Sequence, residues 1–206
     1  MTETTTTDQR LIKGARTRQT IARHAADVAS VEGLTGLSIG RLATDLGLSK
    51  SGVATLFGTK ERLQVAAVEA AREVFMDNVV RPSRNAPHGL ARLRSLVDGW
   101  LRYASEPVFP GGCFRVATTA EFDSRPGPVR DAIVKDRADW LALLAYEIEC
   151  ANKAGELAVA DARTVAFHID AVLCATNTAM QLGEADARRT ARQIIDGLLP
   201  DSRQVG

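Results

Sequence analysis

The sequence predicts an all-α protein, and three observations carry that expectation. Apolar residues recur at spacings of three and four along most of the chain, the period of an amphipathic helix. No segment alternates convincingly at period two, so strands are not expected. Glycine and proline gather at separated places (Gly33, Gly47, Pro82 to Gly89, Pro107 to Gly112, Ser124 to Pro128) and punctuate the helical stretches. Read this way, the chain contains about nine helices. Its 206 residues support one or two small domains with a sizeable core. The expected division is a tail over 1–9, a three-helix unit over 10–58 and a larger helical body over 59–206.

The tail, MTETTTTDQR, is Thr-rich and has no apolar stretch. It reads as disordered to about Gln9 and not as a signal peptide. Residues 17–32 follow as a helix with Ile21, Ala22, Ala25, Ala26, Val28 and Ala29 on its apolar side, stopped by Gly33. Leu34 and Leu37 plug the core from the connection. Next comes SIGRLATDLGLSKSGVATLFGTKERL, residues 38–63. Ser38 precedes a short run with Ile39, Leu42, Ala43 and Leu46 on one side, and Gly47 breaks it. Ser49 restarts a second run through Val53, Leu56 and Phe57. Two short helices around a Gly-containing turn form a helix-turn-helix pattern, whose second helix enters a DNA major groove. Ser38 and Ser49 are the expected N-caps. Ala43 permits close helix approach, and Gly47 suits a left-handed residue after a helix. Val53 and Phe57, four apart, share the buried face.

Charge is distributed to match. From Arg10 to Arg62 there are nine Lys/Arg against four Asp/Glu, a net +5, while the whole chain is +1 and the remainder therefore −4. A cationic head on a slightly acidic body is the footprint of a phosphate-binding module attached to something else.

On these residues, Thr17 to Leu63 resembles the DNA-binding domain of the TetR/AcrR family of bacterial transcriptional regulators. The LGLSKSG turn, Phe57, and Thr59-Lys60-Glu61 with Leu63 all fall at the family's spacing. The stretch PGGCF at 110–114 resembles a subgroup feature of the family's second domain. The resemblance implies a homodimeric repressor that binds a pseudo-palindromic double-stranded operator in the cytoplasm and is released by a small molecule, with no cofactor. It implies phosphate contacts for Arg16, Arg18 and Lys60, helix-end amides offered to a phosphate behind Ser38, and base-edge contacts for Lys50, Ser51, Gly52 and Thr55. Lys60 sits at a helix N-terminus, an unfavourable place for a cation, which a nearby phosphate would explain. Two positions depart from the family pattern: Ala54 stands where an aromatic residue is usual, and Leu56 where His is frequent. Both put weight on the basic residues.

Beyond Lys60 the helical period continues over 60–79, 90–104, 113–122, 129–154, 162–182 and 186–199. The last two are apolar over wide faces, including Val165, Ile169, Val172, Thr176 and Met180 on the first and Ala191, Ile194, Ile195 and Leu198 on the second. They are the expected twofold interface, which would set two recognition helices in successive grooves. The middle helices are expected to enclose a ligand pocket walled by Trp100, Tyr103, Phe114, Phe122 and Trp140, with Glu121, His168 and Asn177 as polar contacts. Cys113, Cys150 and Cys174 show neither metal-ligand spacing nor a disulfide framework. Cys113 near Arg115 suggests either a reactive thiol or a buried inert one. No apolar run reaches the length of a membrane span. Two rivals remain: a helical sensor acting through protein partners without DNA, and an enzyme pairing Cys113 with His168 and Asp170.

Overall fold

The computed structural model describes residues 3–106 and 108–199, with side chains described from Ile12 onward. Among the described residues the chain forms nine helices and no strand, the fourth helix being extended by a π turn and a further short turn. The helices are α1 (Glu3–Glu32), α2 (Ile39–Asp45), α3 (Lys50–Phe57), α4 (Lys60–Phe75), α5 (Leu90–Ser105), α6 (Phe114–Phe122), α7 (Pro128–Lys153), α8 (Ala162–Gln181) and α9 (Ala187–Leu198). The all-α expectation holds. The tail expected to be disordered is helical from Glu3. It holds no Gly or Pro, and a helix propagates cheaply from an anchored turn. Met1, Thr2, Pro107 and 200–206 lie outside the described residues.

Local chemistry explains the short helices of the head. Ser38 Oγ accepts the Arg41 amide at 3.2 Å and Ser49 Oγ the Gly52 amide at 3.1 Å, as expected of N-caps. Thr59 does the same for α4 through the Arg62 amide at 3.2 Å. Gly47 ends α2 with φ 63°. Leu34, Leu37, Leu42, Val53, Phe57 and Leu63 are buried together beneath α1.

α1 lies along α4, α4 on α7, α7 on α8, and α8 on α9. One apolar core runs through head and body alike. Phe75 of α4 meets Tyr103 and Trp140 edge-on, with ring centroids 5.4 and 5.1 Å apart, which fixes the carboxyl end of α4 in the body. There α4 passes into a π turn, Met76–Val80, in which the Arg81 amide reaches back to the Met76 carbonyl. Asn78 Nδ2 donates to the Val74 carbonyl at 2.8 Å. The chain then continues through Arg81–Ser83, where Pro82 is tolerated near the start of a turn.

Candidate nucleic-acid interface and its tie to the body

α3 divides cleanly. Val53 and Phe57 are buried, while Lys50, Ser51, Gly52 and Thr55 are exposed together on the opposite side. The Gly52 amide is committed to Ser49, and Thr55 Oγ1 donates to the Ser51 carbonyl at 2.9 Å. Ala54 and Leu56 are half-buried, and Leu56 packs against the core. The polar helix is therefore held from inside and open outside.

The head's cations do not all face outward. Arg18 Nη1 donates to the Leu56 carbonyl at 2.7 Å, and its guanidinium lies 4.5 Å from the Phe57 ring centroid. It braces the recognition helix instead of standing free for phosphate. Lys60 Nζ donates to the Thr35 carbonyl at 2.6 Å. That acceptor accounts for a lysine at a helix N-terminus without any phosphate. Arg41 is tied to Glu32 and Asp45, and this hydrogen bond to Arg41 holds the Glu32 carboxyl below its ordinary range. Arg23 is tied to Asp27 and the Val108 carbonyl. Arg16 and Lys50 have no side-chain partner among the described residues, and neither does Arg62.

The largest departure from expectation concerns Glu121. It does not wall a cavity. From the last turn of α6 its carboxylate accepts the Leu34 amide at 2.8 Å, the Thr35 amide at 3.0 Å and the Thr35 hydroxyl at 2.7 Å. It thereby caps the turn between α1 and α2, immediately before the helix-turn-helix. Gly33 fits this arrangement doubly: its φ is +76°, and a Cβ there would overlap the Glu121 carboxylate. Gln64 of α4 donates to the Leu34 carbonyl at 2.8 Å, so the same turn is gripped by α4 and α6 at once. A second seam joins the PGGCF loop to α1. The Gly111 amide donates to Ser30 Oγ at 3.1 Å, and a Cβ on Gly111 would overlap the Ser30 carbonyl.

The aromatic residues expected to wall the pocket are packed into the core. Trp100, Tyr103, Phe114, Phe122 and Trp140 are all buried. Tyr103 and Phe114 pack against Phe109 at 6.1 and 6.0 Å between centroids. The internal space beside Tyr103, Cys113 and Phe114 is about 10 Å³, at the limit for one water. Asn177 Oδ1 accepts the Cys113 amide at 2.8 Å, pinning the start of α6 to α8. His168 is exposed on α8. Cys113 is buried, and burial pushes its thiol up from the ordinary range. The thiol is thus enclosed while His168 is exposed, so the structure does not present the two as a nucleophile pair. Asp170, the third group of that idea, is held by Arg137 at 2.9 Å.

On α8 and α9 the expected interface splits. Ile169, Thr176, Ala191 and Ile195 are buried within the protomer, because α8 and α9 pack on each other and consume that stripe. Val165, Val172, Met180 and Leu198 are half-buried, and Ile194 is 47% exposed. Phe167, at 53%, and the neighbouring Ala171 and Ala175 extend the open apolar face. A shallow groove of about 240 Å³ lies between the two helices, with Val172, Ala175, Ala179 and Ile194 in its walls.

His88, Glu147 and Cys150 bring metal-ligating atoms within 4.8 Å of one another. Arg92 Nη1 lies 2.9 Å from His88 Nε2 and 3.1 Å from Nδ1, and Nδ1 faces Glu147 at 2.9 Å. Glu147 also accepts the Gly89 amide at 3.0 Å. The ligand atoms of His88 and Glu147 are thus spent on closing the start of α5. No described helix is long and apolar enough to cross a membrane.

No match was found among curated proteins. Solved structures share the fold. A TetR transcriptional regulator from Chloroflexus aurantiacus superposes with a TM-score of 0.82 at 24% identity, covering 90% of this chain and 94% of that one. A TetR-family regulator from Streptomyces coelicolor gives 0.77 at 19%, covering 100% and 96%. AibR, solved with isovaleryl coenzyme A and operator DNA, gives 0.70 at 16%, covering 89% and 98%. The family model described as the tetracyclin repressor-like C-terminal domain matches residues 89–195, more than half of the chain. With a helix-turn-helix head fixed to a body of that description, the chain belongs to the TetR family of transcriptional regulators.

Proposed function

We propose that the protein is a repressor that binds a pseudo-palindromic double-stranded operator as a homodimer in the cytoplasm and releases it when a small molecule enters the body. The observation that carries this reading is the division of α3: an outward face of Lys50, Ser51, Gly52 and Thr55 left open, and an inward face locked by Phe57 and Arg18. Rigid presentation of one helix is what major-groove readout requires. Arg16 and Arg62 supply phosphate contacts, joined by Lys50, which as the first residue of α3 is given a phosphate in place of the base edge expected from the sequence, and the amides behind the Ser38 cap assist them. Phe167, Ala171, Ala175 and Ile194 are the face on which the twofold partner docks, with Val165, Val172, Met180 and Leu198 at its edge. AibR carries both operator DNA and an acyl coenzyme A in one structure, which supports the pairing of the two activities.

Control follows from the joints. The turn at Leu34 and Thr35 is held by Glu121 of α6 and by Gln64 and Lys60 of α4. A ligand that binds one body conformation better than another shifts this turn, and with it the spacing of the two heads. The test is a mobility shift of the duplex upstream of the protein's own reading frame. The expected result is a complex of two protomers per duplex, weakened at that site by Ser51→Ala and Thr55→Ala. A folded dimer that shifts no such duplex at low salt would favour the sensor without DNA.

A further inference from the structure

We propose that a groove at the carboxyl end of α4 binds a small organic monoanion, its apolar part against the π turn and its charged end toward Arg84 and the indole of Trp140. The inference rests on the ligand-controlled reading above and deepens it by assigning a site and a ligand class. The groove has a volume of about 220 Å³.

Charge decides the class. Arg72, Arg84, Arg115, Asp136 and Asp139 all line the groove. Both carboxylates are already matched. Asp136 accepts from Arg115 Nε at 2.8 Å and Arg72 Nη1 at 3.1 Å. Asp139 is paired with Arg72 at 3.0 Å and Lys135 at 2.8 Å. The Arg84 guanidinium is exposed and has no partner among the described residues. The unmatched charge at the rim is therefore positive, and a cationic ligand would find no free carboxylate.

Three further features point to a ligand. Trp140 is 3% exposed and its Nε1 is buried without a hydrogen-bond acceptor. Buried donors in folded proteins are almost always satisfied, so a residue that lines the groove carries an unmet donor. Phe75, Met76, Val80 and Leu143 give an apolar strip for the rest of the molecule. Met76 and Val80 begin and end the π turn. Such turns are often functional, and this one lies on the helix whose other end grips the head.

The test is calorimetric titration of the full-length protein, without DNA, using octanoate, octanamide and octylamine as matched probes. Octanoate is expected to bind saturably, octanamide about tenfold more weakly, as loss of a charge-assisted contact predicts, and octylamine not at all. Arg84→Ala lowers octanoate affinity toward that of the amide. Trp140→Phe, which keeps an aromatic ring and removes the donor, weakens octanoate and octanamide alike. Equal binding of octylamine and octanoate, an Arg84→Ala variant that binds octanoate unchanged, or no saturable binding of octanoate would overturn the proposal. A protein that shifts its operator but ignores octanoate loses this site and keeps its regulatory function. One that binds octanoate but shifts no duplex keeps the site and loses the repressor reading.

Discussion

In the head, Ser38, Ser49 and Thr59 each accept an amide three residues ahead. In the body, the amides accepted by Glu121 and Asn177 lie 86 or 87 and 64 residues away. The chemistry is the same, an oxygen satisfying an orphan N–H, but the reach differs. A local cap shapes the helix it begins. A distant one joins elements, so its loss is felt by both. The head's caps hold the recognition unit in shape, and the body's long-range acceptors decide where that unit sits.

The contrast predicts a ranking of effects. Glu121→Ala leaves two turn amides and a hydroxyl without their acceptor and should cost about 2–3 kcal/mol in urea unfolding. It should also raise amide exchange across both the α1–α2 turn and the end of α6, with partial recovery in Glu121→Gln. Ser49→Ala should cost about 1 kcal/mol, with faster exchange confined to α3. If Ser49→Ala proves as damaging as Glu121→Ala, or if exchange in the Glu121 variant changes on one side only, the distinction fails. The smallest effect concerns thiols. Cys113 is fully enclosed and burial raises its thiol, while burial and then Asp170 push Cys174 up to about 12. Both shifts disfavour the thiolate, so an aromatic disulfide reagent at pH 8 should react promptly with at most Cys150 in the native protein. Prompt reaction at Cys113 would reopen it as a sensor.

The same difference of reach explains what could be read from the sequence. Ser38, Ser49, Gly47, Val53 and Phe57 act on neighbours within four residues, and each behaves as its local pattern predicts. Glu121, Asn177, Arg18 and Lys60 bond to groups brought near only by tertiary packing. No periodicity encodes that, so the sequence alone offers Glu121 and Asn177 as pocket residues and Arg18 and Lys60 as phosphate contacts. The aromatic walls misled for another reason. Composition shows that Trp100, Tyr103 and Phe114 are large and apolar, which suits a filled core as well as a cavity. On α8 and α9 the apolar faces were legible, but their division between the α8–α9 contact and the open side was not, since a wide stripe does not say which edge is covered.

The most direct test of the account is the salt dependence of operator affinity for the wild type, Lys50→Ala and Lys60→Ala. Lys50 is free on the open face of α3, while Lys60 is committed to the Thr35 carbonyl. The wild-type affinity should fall steeply with salt, and Lys50→Ala should flatten the logarithmic slope by about 0.9, the loss of one phosphate contact. Lys60→Ala should leave that slope unchanged. Affinity that ignores salt, or a slope altered by Lys60→Ala and not by Lys50→Ala, would contradict the account.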